Sequence, residues 1–208
     1  MPYRLWLLLL LLIAWGISFI QPYDYSDMAL EHIPTAGLIV FFLWLEWRNR
    51  GRGPGFSNAA LTCVFIFLNL HIIGAHYLYS NVPYDDWSRA IFGVSVSEIA
   101  GWERNHFDRL VHFLFGVLML PPMHELVRQF VKPRRGWRMI TAIAFLAVFS
   151  KMYELLEWGL AETLSPEAAE NYNGQQGDMF DAQKDMALAL FGSILSAFGI
   201  ILVSRRAD

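Results

Sequence analysis

Three stretches of this chain contain no Asp, Glu, Lys, Arg or His: Leu5 to Tyr23, Gly53 to Leu70 and Met186 to Ser204. Each is close to the ~20 residues a helix needs to cross ~30 Å of hydrocarbon. In lipid every backbone N–H and C=O must be satisfied within the chain, so such runs can fold into little other than helices. Three shorter apolar runs, Ile33 to Leu45, Phe113 to Met123 and Met139 to Ser150, reach spanning length once their charged flanks are counted as helix. The expected architecture is therefore all-α: a polytopic membrane protein, one six-transmembrane-helix bundle over residues 1–208. Approximate segments are 4–21, 33–47, 58–79, 106–126, 138–161 and 181–204. Hydrophobic residues make up 55% of the 208 positions, which excludes a disordered chain. The first segment has a signal-like basic start at Arg4, but its apolar run is long and no small-x-small site precedes Gln21 and Pro22, so a retained helix is expected.

The basic residues set the expected orientation. Arg4, Arg48, Arg50, Arg52, Arg128, Lys132, Arg134, Arg135, Arg138, Arg205 and Arg206 all fall on one side of a six-segment arrangement, whereas the opposite loops carry only Arg89 and Arg104. By the positive-inside rule both termini are cytoplasmic. Short juxtamembrane clusters of this kind read as topology signals and contacts with anionic lipid, and they give no support for a nucleic-acid partner. Cys63, the single cysteine, can form no intramolecular disulfide. The outer loops are 21–32, 80–105 and 162–180. The middle one sets Asp85, Asp86, Ser88, Glu98 and Glu103 around an apolar stretch, Ile91 to Val96, and is expected to hold a short interfacial helix. Trp44, Trp47 and Trp158 suit the aromatic belts.

Ionisable groups interrupt the apolar pattern at the outer ends of segments three to six. A charge at the bilayer centre costs roughly 2.5–3.5 kcal/mol on insertion scales, so a group of them marks a functional site. At about 100° per residue, Asp108 and His112 lie one turn apart, Glu154 and Glu157 are about 60° apart, and Asp178, Asp181 and Asp185 form a narrow stripe. His71 and His76 are separated by about 140°, so at most one of them faces the site. His32 beside Glu31 is a weaker candidate, and His106 suits the vestibule. His124 and Glu125 belong to the inner end of the fourth segment and are excluded.

Helix dipoles separate these acids. Asp108, Asp178 and Asp181 lie near helix N-termini, where a carboxylate is stabilised, and Asn105 with Asp108 resembles a capping box. Glu154 and Glu157 lie near a C-terminus, where the dipole opposes them, and Asp185 lies too deep for a cap. The expected cluster sets Asp108, Glu154, Glu157, Asp181 and Asp185 against Lys151, Lys184 and Arg109, an excess of two acids. Shared protons, a protonated His112, a bound cation or a cationic ligand could balance it. The i, i+3 spacings of Lys151 with Glu154 and of Asp181 with Lys184 equally suit ion pairs that lock helices together. Carboxylate and imidazole groups on several helices suit a divalent metal such as Zn²⁺ or Mn²⁺. No HExxH, CxxC, Glu-x-x-His, P-loop, dinucleotide or GxSxG motif is present.

The segments QPYDYSDMALEHIPT (21–35), HFDRLVHFLFG (106–116), YELLEWGLAE (153–162) and GQQGDMFDAQKDM (174–186) resemble the bacterial inner-membrane family typified by YjdF, across the whole chain. The last three also resemble, over about residues 106–204, the motif order of VanZ-like membrane proteins. That pattern is matched at Asp108, Arg109, His112, Phe113, Glu154, Asp178 and Asp181. Glu157 stands where the pattern has Gln and Asp185 where it has Asn, and both departures add negative charge. The resemblance implies a protein of the bacterial envelope and supplies no established reaction.

Several readings stay open. One is a periplasm-facing acidic pocket that holds a cation or a polar envelope-lipid group without turnover. Another is a metal-assisted membrane hydrolase acting on a lipid or lipid-linked ester, with His112, Glu154 and Asp181 as metal ligands and Glu157 or Asp185 as general base. Asp108, Arg109, Lys151, Asp178, Lys184, His71 and His76 would complete the pocket. A third is a purely structural ion-pair network. Transport of protons or cations is disfavoured, because the inner halves of the segments are almost wholly apolar.

Overall fold

The computed structural model describes residues 3–48, 55–164, 169 and 174–207, and the side chains of Arg135 and of residues 204–207 are outside that description. Arg50 and Arg52, and residues 165–168 and 170–173 of the last outer loop, also lie outside the described residues. The described chain is all-helical. Helices α1 (Tyr3–Ser18), α2 (Tyr25–Arg48) and α3 (Asn58–Tyr77) are followed by two short ones, α4 (Tyr84–Phe92) and α5 (Val96–Ala100). Then come α6 (Phe107–Leu126), α7 (Arg138–Ala161) and α8 (Asp181–Ala207). Five helices, α2, α3, α6, α7 and α8, are long and apolar enough to cross a membrane, while α1 is a shorter apolar helix of 16 residues. Large apolar side chains such as Ile17, Phe198 and Val203 are exposed, as a lipid-facing surface requires.

Two boundaries differ from expectation for local reasons. The first helix ends at Ser18 instead of residue 21, since Gln21 precedes Pro22 and takes a left-handed φ of 51°. The second begins at Tyr25, eight residues before the expected start at 33. Asp24 Oδ1 accepts from the backbone N–H of Ser26 (2.8 Å) and of Asp27 (3.0 Å), which is an N-cap. The helix is thus started by its cap, ahead of the apolar run, and Glu31 and His32 become buried helical residues in place of loop residues. The interfacial helix expected near Ile91 to Val96 is instead the pair α4 and α5.

At one end of the bundle Arg4 pairs with Glu46 (2.6 Å) and donates to the Phe56 carbonyl, while Ser57 N–H donates to Glu125 (2.8 Å). That end gathers the N-termini of α1 and α3 with the C-termini of α2 and α6, so the helices alternate in direction. Glu125 is accordingly remote from the acidic cluster.

The closest helix pair is α6 with α8. A Cβ built on Gly116 would lie 2.0 Å from the Ala189 carbonyl oxygen, and one on Gly192 2.2 Å from that of Phe113. Only glycine permits backbones this near, the usual means by which membrane helices gain contact without a hydrophobic driving force. α7 packs on both α6 and α8, and α3 packs on α1, α2 and α6. Leu68, Leu120 and Leu146, from α3, α6 and α7, are almost fully buried at the centre.

Candidate functional site: two polar layers at one end of the bundle

The polar residues separate into an outer layer of matched charges and a deeper layer of unmatched carboxyl groups. In the outer layer Arg104, from the loop before α6, forks onto Asp181 with Nη1 to Oδ1 at 2.7 Å and Nη2 to Oδ2 at 3.0 Å. Arg109 donates to the same Asp181 Oδ1 at 3.0 Å and also to Asp178. Lys184 completes the layer by pairing with Asp178. The Arg104 and Asp181 side chains are 13% and 4% exposed, so this pair is shielded from water. Asp178 lies before α8, and the Lys184 hydrogen bond, then the Phe180 N–H, then Arg109 hold its carboxyl down at about 2. His106, stacked against Trp102, is held below its usual value by burial and by the Arg109 and Arg104 charges.

The deeper layer comes from α2, α6, α7 and α8. His112 Nε2 lies 3.5 Å from Asp108 Oδ1, one turn away on α6, and 3.5 Å from Glu154 Oε1 on α7. Asp185, one turn inside α8, joins them: one ligand atom each from Asp108, His112 and Asp185 all lie within 4.8 Å of one another. Glu154 is buried on α7, and Glu157 follows it by three residues on the same helix. Glu31 accepts from Tyr153 Oη at 2.9 Å. Its backbone carbonyl takes a hydrogen bond from His71 Nε2 (2.9 Å), and the other ring nitrogen of His71 meets Tyr79 Oη. A carbonyl only accepts, so His71 Nε2 carries hydrogen and that atom is not free to bind a metal.

Several expected members are arranged differently. Asp181, expected beside His112 and Glu154 as a metal ligand, instead has both of its oxygens engaged by the outer-layer arginines. Asp108 does not cap α6: the Phe107 N–H goes to Asn105 Oδ1 (2.9 Å), and the Asp108 side chain points to His112. Lys151 is exposed and forms no ion pair among the described residues, because it lies about 100° round the helix from Ser150, which shares the inward face with Glu154. Lys184 bonds Asp178 in place of Asp181. Of the two α3 histidines, His71 faces the site, and His76 instead donates to the Ser18 carbonyl at the end of α1 (2.8 Å).

Three residues escaped sequence reasoning: Arg104, Glu31 and Tyr153. Arg104 was one of only two basic residues in the outer loops, the sole signal available for it. The Asp24 cap would have drawn Glu31 into a helix. With Glu31 included, the deeper layer holds five carboxyl groups, and no Lys or Arg forms an ion pair with any of them among the described residues. Asp185 Oδ1 and Glu154 Oε1 are buried without any hydrogen-bond partner.

Below this layer lies a cavity of about 530 Å³. Asp108, His112, His71, Tyr79 and Tyr153 line its outer end; Phe115, Met119, Met123, Leu126 and Leu146 line the rest. Among the described residues, the lining of its inner half is apolar.

A family model described as "Predicted membrane protein (DUF2238)" matches residues 3–206. The chain is 34% identical over 200 residues to "Inner membrane protein YjdF" of Escherichia coli (strain K12), covering 95% of this chain and 86% of that protein. No solved structure matches. The VanZ-like likeness rests on the three motifs alone. With the family model matching nearly its whole length, the chain belongs to the DUF2238 family of predicted membrane proteins.

Proposed function

We propose that this is a bacterial inner-membrane protein, a single six-helix domain with both termini cytoplasmic, whose acid-rich pocket faces the periplasm and binds a divalent cation through Asp108, His112 and Asp185. Through that cation it binds a polar group of an envelope lipid. The observation that carries the reading is the convergence of these three ligand atoms within 4.8 Å, beside two buried carboxylate oxygens that lack any hydrogen-bond partner. A buried unsatisfied group costs about 1–3 kcal/mol, and more when charged, so five carboxyl groups without a basic partner call for protons or a cation. One imidazole with carboxylates suits Zn²⁺ or Mn²⁺, and three protein ligands leave positions open for a ligand oxygen. The basic loops support the orientation.

The ion-pair reading accounts for the outer layer, where Arg104, Arg109 and Lys184 are matched with Asp178 and Asp181, but not for the deeper one. A metal-assisted lipid hydrolase is favoured by one specific feature. Glu154, buried and 3.5 Å from His112, would adjoin the cation as a general base for a bound water.

The test is the metal content of detergent-purified protein by elemental mass spectrometry. About one ion per chain is expected in the wild type, and its loss in an Asp108→Asn, Asp185→Asn variant of unchanged helicity. Metal-free wild type, purified from metal-replete cells without chelator, would overturn the cation reading in favour of carboxyl groups that share protons.

A further inference from the structure

The cavity beneath the carboxyl layer has the shape of a lipid site entered from the side. Its α6 wall runs from Asp108 to Leu126, about 27 Å at 1.5 Å per residue, close to the ~30 Å of a hydrocarbon core. α2 packs chiefly on α3, and α7 on α6 and α8, so α2 and α7 face each other across the slot. The Tyr153 to Glu31 hydrogen bond joins them at its outer end. Phe41 on α2 and Phe145 and Phe149 on α7 line the slot and yet are 39%, 40% and 53% exposed, which identifies its side toward lipid as the opening.

A second observation concerns hydroxyl groups. Thr35 on α2 is 0% exposed and Ser150 on α7 is 3% exposed; both line the slot, and neither hydroxyl oxygen has a hydrogen-bond partner. Within helices such hydroxyls commonly bond back to the preceding turn, so two orphans on facing walls are unusual. Each lies one turn, about 6 Å, deeper than a carboxyl of the polar layer: Thr35 below Glu31 and Ser150 below Glu154. From the outer end inward the slot therefore presents carboxyl and imidazole groups, then two free hydroxyl donors, then hydrocarbon.

We infer that the slot binds one acyl chain of a membrane glycerophospholipid, which enters sideways between α2 and α7. The Thr35 and Ser150 hydroxyls donate to the ester carbonyl, and the phosphate end reaches the Asp108, His112 and Asp185 cluster. An ester carbonyl can only accept, which matches two free donors, and the chain fills an apolar space within the 300–1,000 Å³ usual for ligand pockets. The phosphate end rests on the cation reading above, since bare carboxylates would repel it; the acyl and ester contacts do not depend on it.

The test reconstitutes the full chain in phosphatidylethanolamine vesicles doped with phosphatidylglycerol that bears a photoactivatable diazirine near the end of one acyl chain, and maps the adducts by mass spectrometry. Adducts at Met119 and Met123 are expected. Gly37 lines the slot with nothing within 4 Å of an added Cβ, so Gly37→Leu fits the fold and occupies the space. Displacing about two methylenes should lower labelling of Met119 about tenfold while metal content stays unchanged. Thr35→Val, which removes one donor at nearly constant shape, should weaken it as well. Adducts confined to outward residues such as Phe198 and Leu202, or undiminished Met119 labelling in Gly37→Leu, would overturn the inference. Slot labelling in protein that carries no metal would remove the cation reading and leave the acyl site standing; bound metal without slot labelling would do the reverse.

Discussion

Replacing Gly192 by alanine should push α8 off α6 and weaken the site two turns away. The added Cβ would lie 2.2 Å from the Phe113 carbonyl oxygen, and contacts under 3.0 Å are essentially never seen, so the backbones must part by about 0.8 Å. The obstacle is backbone, which cannot rotate aside as a side chain can. Overpacking of this kind costs about 1–3 kcal/mol, and the helix propensity of alanine over glycine returns up to about 1 kcal/mol, leaving a net loss of about 1–2 kcal/mol. Asp185 rides on α8, about 10 Å along the axis from Gly192, while Asp108 and His112 ride on α6. Parting the helices therefore also widens the donor set, and metal affinity should fall about tenfold, the effect of roughly 1.4 kcal/mol. Gly199→Ala on the same helix is the control, because nothing lies within 4 Å of its added Cβ. Reversible unfolding in SDS mixed micelles, followed by circular dichroism, reads the stability, and metal titration reads the site. If Gly192→Ala proves as stable as Gly199→Ala, and binds metal as well, the close α6 to α8 contact is not what positions the donors.

Three further outcomes follow from the polar layers. Arg104→Leu should cost about 3 kcal/mol, the low end for breaking a shielded ion pair because Arg109 still holds Asp181, and Arg104→Lys should recover only part of it since lysine lacks the two-pronged fork; the same SDS titration measures both. Lys151→Ala should leave metal content intact and change stability by no more than about 0.5 kcal/mol, and a loss of metal comparable to the Asp108→Asn, Asp185→Asn variant would contradict its outward placement. The Asp178 carboxyl sits at about 2 against an ordinary 3.8, so its contribution to stability is fully present above the ordinary value and is lost as pH falls from 3.8 toward 2. Acid titration of an Asp178→Asn variant should show a shallower loss of stability across that window than the wild type.

Much of the fold is legible in the sequence because the bilayer leaves so few solutions. Charge-free runs of about twenty residues must be helices, and alternating basic loops give them an expected direction. The faces of single helices were also readable: Asp108 with His112, and Glu154 with Glu157, are pairs set by the helical repeat. The start of α2 is less legible, because the Asp24 cap opens the helix ahead of its apolar run, and a reading from apolar content leaves Glu31 in a loop.

What only the tertiary structure decided is which acids keep company with which cations. Asp181 and Asp185 lie on one stripe of α8, yet Asp181 is taken by Arg104 and Arg109 while Asp185 is left with Asp108 and His112. Periodicity sets an angle about one helix axis. It carries no information on where a loop folds back, and Arg104 arrives from a loop. Nor does it say which helices come closest, which here depends on Gly116 and Gly192 meeting the facing backbone. The slot is likewise a property of spacing between helices: Thr35 and Ser150 are ordinary residues in the sequence, and they become conspicuous only when α2 and α7 face each other with both hydroxyls unpartnered.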